Sequence, residues 1–150
     1  MIASDADTPY PPPIPGARAV LVVMSDLIVR SKVDEVARRL GLPLRVAKSV
    51  EQLDRHLSRE APSIAIVDLE ADTLDVADAI RRIKTSAHGA HTAVLAFASH
   101  TNIPAIDAGR AAGANVVLAR GGFTSQLPAL LTRVAEEERG RGSGLGTRDS

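Results

Sequence analysis

Hydrophobic residues fall into short continuous runs that alternate with helical patterns along the chain. The run Ala19-Val20-Leu21-Val22-Val23 is apolar throughout, which is typical of a parallel strand buried on both faces. Apolar residues then recur at helical spacing until Gly41-Leu42-Pro43, where the helix is predicted to end. Four more strands are predicted at residues 44–47, 63–68, 93–97 and 116–119. Helices are predicted after Ser49, across Val76–Ile83, from about Pro104 to Ala112, and after Thr124, with Ser49 and Thr124 as N-caps.

This alternation predicts an α/β fold with a five-stranded parallel sheet covered by helices on both faces, a flavodoxin-like (βα)5 sandwich. In the strand order 2-1-3-4-5, the chain reverses between strands 1 and 3 and opens a crevice at their carboxyl ends. Polar residues follow or end four strands at that edge: Asp26, Asp68, Ser99 and Arg120. Asp68 stands out because it ends an apolar run, where a carboxylate is costly to bury without partners.

The amino-acid composition of the chain excludes several classes of function. The 150 residues carry 18 basic and 18 acidic side chains, so no overall positive field favours nucleic acid or an anionic membrane. The absence of cysteine excludes disulfides, thiolate nucleophiles and cysteine-ligated metals. No apolar run has the length of a membrane span, and no signal-peptide pattern is present. We therefore expect a cytoplasmic protein.

Both ends differ in composition from the middle of the chain. Residues 1–17 are rich in proline and predict a disordered leader, and residues 139–150 are rich in glycine and arginine and predict a disordered tail. Residues 18–138 are predicted to form one domain.

Residues 18–138 resemble the receiver domain of bacterial two-component response regulators. The resemblance rests on Val-Leu-Val-Val (20–23), Ala-Ile-Val-Asp-Leu (65–69), Ala-Gly-Ala (112–114) and the arginine that follows the fifth strand. It implies that Asp68 is the counterpart of the aspartate that accepts a phosphoryl group from a histidine kinase. It also implies an acidic pair after strand 1 that holds Mg²⁺, a Ser or Thr after strand 4 and a Lys after strand 5 that contact the phosphoryl group, and a switch aromatic on strand 5.

Several of these positions depart from the receiver pattern. The acidic pair falls on Met24 and Ser25, which leaves Asp26 and Asp68 as the candidate metal ligands. Ala98 takes the Ser/Thr position, with Ser99 next to it as a candidate phosphate contact. Arg120 replaces the lysine and is a second candidate phosphate contact, or an ion-pair partner of Asp68. Val117 replaces the aromatic.

The pattern predicts a stand-alone, atypical receiver-like signalling domain that is not an enzyme. It would act through protein–protein contacts as a monomer or weak homodimer, with phosphorylation weak or lost and without a required cofactor. Its partner would be a histidine kinase or a downstream signalling protein. One alternative is a phospho-accepting single-domain response regulator that uses Asp68 and Mg²⁺. A further alternative is a small nucleotide-binding protein or enzyme on the same fold.

Other motifs are weaker candidates. His88 and His91 have ligand-like spacing but no carboxylate beside them, so surface positions explain them better. Gly121-Gly122 before Thr124 resembles an anion-binding helix start but lacks the lysine of a P-loop.

Overall fold

The computed structural model describes residues 10–143, and the side chains of residues 10–141. Within them, strands and helices alternate from the first element to the last. The strands are β1 (Val20–Val23), β2 (Leu44–Val46), β3 (Ile64–Asp68), β4 (Val94–Ala98) and β5 (Val116–Ala119). The helices are α1 (Leu27–Arg39), α2 (Val50–Arg59), α3 (Val76–Thr85), α4 (Ile103–Ala112) and α5 (Arg120–Ser143). No helix in the described range is long and apolar enough to cross a membrane.

The strands form one parallel sheet in the order β2-β1-β3-β4-β5, which confirms the predicted topology. β1 pairs with both β2 and β3, so the crevice predicted between β1 and β3 lies beside the central strand. In the β3–β4 register Asp68 lies opposite Phe97, which brings the carboxylate next to an aromatic ring of the neighbouring strand.

Alternating strand residues divide the interior into two apolar clusters. On one side, Val20, Val22 and Phe97 pack against α1 and α5. On the other, Leu21, Val23 and Ala96 pack against α2, α3 and α4. All four residues of β1 are buried, as their continuous apolar run predicts.

The start of α5 differs from the sequence-based expectation. The sequence predicts Thr124 as the N-cap of this helix, but α5 begins at Arg120, directly after β5. The Thr124 hydroxyl donates to the carbonyl oxygens of Arg120 and Gly121, at 3.3 and 3.1 Å, so it lies inside the first turns. Gly121 and Gly122 are therefore helical rather than a loop before the helix. Glycine lowers helix propensity, and packing of Phe123 and Leu127 into the core overrides it here.

Ordered structure is described on both sides of the predicted domain, residues 18–138. α5 continues to Ser143, so the first residues of the predicted tail are helical. Before β1, the Ile14 amide donates to Gly41 O at 2.9 Å, and Tyr10 donates its hydroxyl to Glu35 at 2.6 Å. Residues 10–17 thus run along the C-terminal part of α1. The remainder of the predicted leader and tail, residues 1–9 and 144–150, lies outside the described residues.

A buried ion pair joins the start of β1 to α5. The Glu138 side chain is 1 % exposed and accepts hydrogen bonds from the backbone amide and guanidinium of Arg18, the shortest at 2.7 Å. Burial opposes the charged form of Glu138, but the hydrogen bonds from Arg18 and the charges of Arg18 and Arg141 together outweigh burial and lower the pKa of Glu138 below the ordinary value. This pair holds the C-terminal half of α5 against the sheet.

We predict that Glu138→Gln lowers the free energy of unfolding by about 1–3 kcal/mol at neutral pH, because a charge-assisted bond is lost at a buried position. Because folding lowers the pKa of Glu138, its stabilisation is present above the ordinary glutamate pKa and disappears as pH falls through the folded-state value. The deficit, measured by urea denaturation, should therefore shrink on acidification. Glu137→Gln, on the exposed side of the same turn, is the control. Equal effects of the two substitutions would contradict the prediction.

Candidate functional site

Four chain segments meet at the carboxyl ends of the central strands. Asp68 ends β3, Glu70 follows it, Asp26 precedes α1, and Arg120 begins α5. The Asp68 side chain is only 3 % exposed, whereas that of Arg120 is 32 % exposed. A buried carboxylate at the base of the crevice is therefore covered by a cation that reaches solvent.

Arg120 contacts three carboxylates at once. Its Nη2 lies 2.8 Å from Glu70 Oε1 and 3.4 Å from Asp68 Oδ1. Its Nη1 lies 3.5 Å from Asp26 Oδ2. The contact with Glu70 is the short, charge-assisted one, and the other two are at the long limit of hydrogen bonding. The ion pair considered for Asp68 and Arg120 is present, but Glu70 is the closest partner of the guanidinium.

An aromatic stack supports the guanidinium from below. The Cζ of Arg120 lies 5.0 Å from the centre of the Phe97 ring, within the range of a cation–π contact. Phe97 stacks on Phe123 with ring centres 4.3 Å apart and planes inclined by 10°. Both rings are fully buried. The stack therefore restricts where Arg120 can lie and couples the site to the core between the sheet and α5.

Glu70 connects three loops of the site. Besides Arg120, its carboxylate accepts the Ser99 amide at 3.1 Å and the Asn102 side-chain amide at 2.8 Å. The hydrogen bonds from Asn102 and Arg120 lower the pKa of Glu70. Asn102 also caps α4 through Ala105. Glu70 was missed in the sequence analysis, although an acid two residues after the strand-ending Asp68 was an available signal.

The environment of Asp68 disfavours its charge. Burial raises the pKa of Asp68, and the Glu70 amide that donates to Oδ1 at 2.9 Å and the charge of Arg120 only partly offset burial. The neighbouring charges of Glu70 and Asp26 raise the pKa further. Folding therefore makes Asp68 a weaker acid.

The fold is shared with solved receiver structures, although no family model matches the sequence and a comparison with curated proteins found no match. The receiver domain of a sensor histidine kinase from Pseudomonas aeruginosa, with magnesium coordinated in its active-site cleft, is 20 % identical, with a TM-score of 0.67 over 81 % of this chain and 99 % of that one. A chemotaxis response regulator of Vibrio cholerae is 18 % identical, with a TM-score of 0.65 over 79 % of this chain and 98 % of that one. A phosphorylated cyanobacterial phytochrome response regulator is 14 % identical, with a TM-score of 0.63 over 82 % of this chain and 94 % of that one. The chain has the fold of a response-regulator receiver domain.

Three residues that stand at positions where the sequence differs from the receiver pattern take structural roles in this fold. Met24 is 1 % exposed and belongs to the apolar core. The Ser25 hydroxyl donates to Asp72 Oδ1 at 2.9 Å and accepts from the Asp72 amide at 3.0 Å, which joins the loops after β1 and β3. Val117 is half-buried against the cluster that includes α4, where it packs as an aliphatic side chain.

The two other predicted polar residues point to local partners. Asp26 Oδ1 caps α1 by accepting from the amides of Ile28 and Val29, at 2.9 and 3.2 Å. The Ser99 hydroxyl lies 3.0 Å from the Thr101 hydroxyl. The structure thus brings Asp26, Asp68 and Arg120 together and engages the Ser99 side chain elsewhere. The phosphate-contact roles of Ser99 and Arg120 stay predictions.

The described residues do not fit a magnesium ion well. Mg²⁺ prefers an octahedral set of hard oxygen ligands, and the position of the acidic pair offers a buried thioether and a hydroxyl already bonded to Asp72. The Asp26 and Asp68 carboxylates face a guanidinium. Among the residues that the structure describes, no three His, Cys, Asp or Glu side chains are arranged to hold a metal ion. No buried side-chain polar atom there lacks a hydrogen-bond partner.

We predict that Asp68→Asn stabilises the protein at neutral pH by on the order of 1 kcal/mol, because a carboxylate that burial disfavours becomes a neutral amide. The Asn oxygen can still accept from the Glu70 amide. Since folding raises the pKa of Asp68, the folded protein holds this proton to higher pH than the unfolded chain. Wild-type stability therefore falls as pH rises from the unfolded-state pKa of Asp68 to its folded-state pKa. The advantage of Asp68→Asn, measured by urea denaturation, should grow as pH rises above the ordinary aspartate pKa of about 3.9. An advantage that does not change with pH would contradict this, and exposed Asp107→Asn is the control.

We also predict that Arg120→Ala raises the pKa of Asp68 above its wild-type value, because the cation that favours the carboxylate is removed. Arg120→Lys should produce a smaller rise, since it keeps a charge but loses the planar fork. Carboxyl-detected NMR titration measures the pKa directly. An unchanged pKa in Arg120→Ala would show that the guanidinium does not act on Asp68.

Proposed function

We propose that this chain is an atypical receiver-like domain of two-component signalling that acts through protein–protein contacts, with phosphorylation weak or lost. The observation that supports it is the Arg120 guanidinium lying within 3.5 Å of Asp26, Asp68 and Glu70. A built-in cation thus stands where a metal ion would have to approach these carboxylates.

Phosphoryl transfer depends on positioning and on neutralising the charge that develops on the phosphoryl oxygens, with a divalent cation as a main contributor. Arg120 supplies one positive charge, and three carboxylates already surround it. Asp68 would have to act as a nucleophile from a buried position where its charge is disfavoured. These conditions support slow transfer to Asp68 and low metal affinity.

The proposed role needs a surface for a partner protein. In receiver domains, the surface formed by the fourth helix, the fifth strand and the fifth helix is the usual contact face. Here Ile103 at the start of α4 and Val116 at the start of β5 are 55 and 48 % exposed. We propose that this face contacts a histidine kinase or a downstream signalling protein in the cytoplasm, and that the chain is a monomer or weak homodimer. The balanced charge gives no support for a nucleic-acid or membrane role.

Incubation of the full chain with Mg²⁺ and acetyl phosphate, followed by intact-mass measurement, tests the loss of phosphorylation. We expect no phosphoryl adduct above the level of Asp68→Asn, because metal recruitment and charge neutralisation are impaired. NMR titration with Mg²⁺ alone should leave the amide shifts of Asp26, Asp68 and Glu70 unchanged. The magnesium-binding receiver domain from Pseudomonas aeruginosa serves as the positive control.

A stoichiometric adduct that disappears in Asp68→Asn would overturn the proposal in favour of a phospho-accepting response regulator. Saturable changes in the amide chemical shifts of Asp26, Asp68 and Glu70 on addition of Mg²⁺ would contradict the proposed low metal affinity. Arg120→Lys restores the lysine that the receiver pattern has at this position. An adduct that forms in Arg120→Lys but not in wild type would identify Arg120 as the residue that blocks transfer.

A further inference from the structure

A second concave site lies at the opposite edge of the sheet. A pocket of about 240 Å³ opens between the edge strand β2, the last turns of α2 and the segment before β3. Its apolar wall comes from Ala19, Leu21 and Pro62, all of them buried. Ala19 and Pro62 precede β1 and β3, so the pocket lies near the amino ends of the strands, away from Asp68.

Three basic side chains line this pocket: Arg45 from β2, and His56 and Arg59 from α2. Glu60 is the one acidic lining residue. The pocket is thus lined by two guanidinium groups and one carboxylate, in addition to the imidazole of His56. In the described part of the chain, neither Arg45 nor Arg59 forms an ion pair, in contrast to Arg18, Arg82 and Arg120.

Backbone contacts orient two of the basic side chains. Arg45 Nη1 donates to Leu44 O at 3.2 Å, and His56 Nε2 lies 3.1 Å from Val46 O. In the β1–β2 ladder, Pro43 O accepts from the Val20 amide and the Ala47 amide donates to Val22 O. The carbonyls of Leu44 and Val46 therefore point away from β1. The two contacts thus lie along the free edge of β2. They hold Arg45 and His56 at the pocket and leave donor capacity on the guanidinium.

We propose that this pocket binds a small oxyanion, a carboxylate or phosphate group carried on a short apolar body. Arginine presents a planar set of donors that matches both groups. Two arginines facing one pocket give the ligand charge-assisted partners, and Ala19, Leu21 and Pro62 give its body an apolar surface. Unlike the Asp68 site, which is rich in carboxylates, this pocket attracts negative charge. The proposal does not depend on whether Asp68 is phosphorylated.

Backbone amide NMR on the full chain tests the proposal with three probes at constant ionic strength: inorganic phosphate, propyl phosphate and butyrate. We expect saturable shifts at Arg45, His56, Arg59 and Glu60, and tighter binding of propyl phosphate than of inorganic phosphate, because only the former has an apolar body. The relative affinities of propyl phosphate and butyrate identify the preferred anionic group. Non-saturable shifts spread over the whole surface with all three probes would overturn the site.

Three variants at the C-terminal end of α2 distinguish binding at a specific site from nonspecific attraction of anions to a positively charged surface. Arg59→Ala should weaken binding about tenfold or more, because a charge-assisted contact is lost. Glu60→Gln should tighten binding, because a like charge beside the ligand is removed. Arg55→Ala removes another exposed arginine, one turn earlier, that does not line the pocket, and it should leave the affinity unchanged. Equal weakening by Arg55→Ala and Arg59→Ala, with folded spectra for both, would overturn the proposal.

Discussion

The interaction on which the site depends is the contact of one guanidinium with three carboxylates. Asp68 is held at a buried strand end where its charge is costly, and Arg120 is the cation that reaches it. Arg120 is in turn held by the short bond to Glu70 and by the face of Phe97. Displacing Arg120 would therefore disturb the charge of Asp68, the loop contacts of Glu70 and the ring on which the cation rests.

In this arrangement the buried carboxylate of Asp68 is held by the guanidinium of Arg120 and by the backbone amide of Glu70. The loops that would supply metal ligands are tied to each other, Ser25 to Asp72 and Glu70 to Asn102. Side-chain contacts thus join the crevice loops directly. These contacts are among the observations behind the proposal that the domain acts as a binding surface.

The crevice at the carboxyl ends of the strands and the pocket near their amino ends have opposite excesses of charged side chains, although the chain as a whole is neutral. In the crevice, the carboxylates of Asp26, Asp68 and Glu70 outnumber the guanidinium of Arg120. Near the amino ends, Arg45, His56 and Arg59 outnumber Glu60. This polarity is produced by the fold, because the residues concerned are scattered along the sequence and come together only when parallel strands align their ends. The balanced net charge of the chain therefore excludes a large electrostatic field of one sign over the whole molecule. It does not exclude local sites that are rich in positive or in negative side chains.

The sequence alone determined the α/β class and the position of Asp68 at a strand end, because burial on both faces imposes continuous apolar runs and helices impose their own period. The strand order was expected together with the receiver resemblance, and the structure confirms it. It also identified Asp26 and Arg120 as neighbours of Asp68. The tertiary structure alone decided that Glu70 is the closest partner of Arg120 and that Phe97 and Phe123 support the cation. It also decided that α5 starts before its predicted cap at Thr124. These features arise from contacts between residues far apart in the chain or from core packing that overrides local propensity, and neither leaves a periodic trace in the sequence.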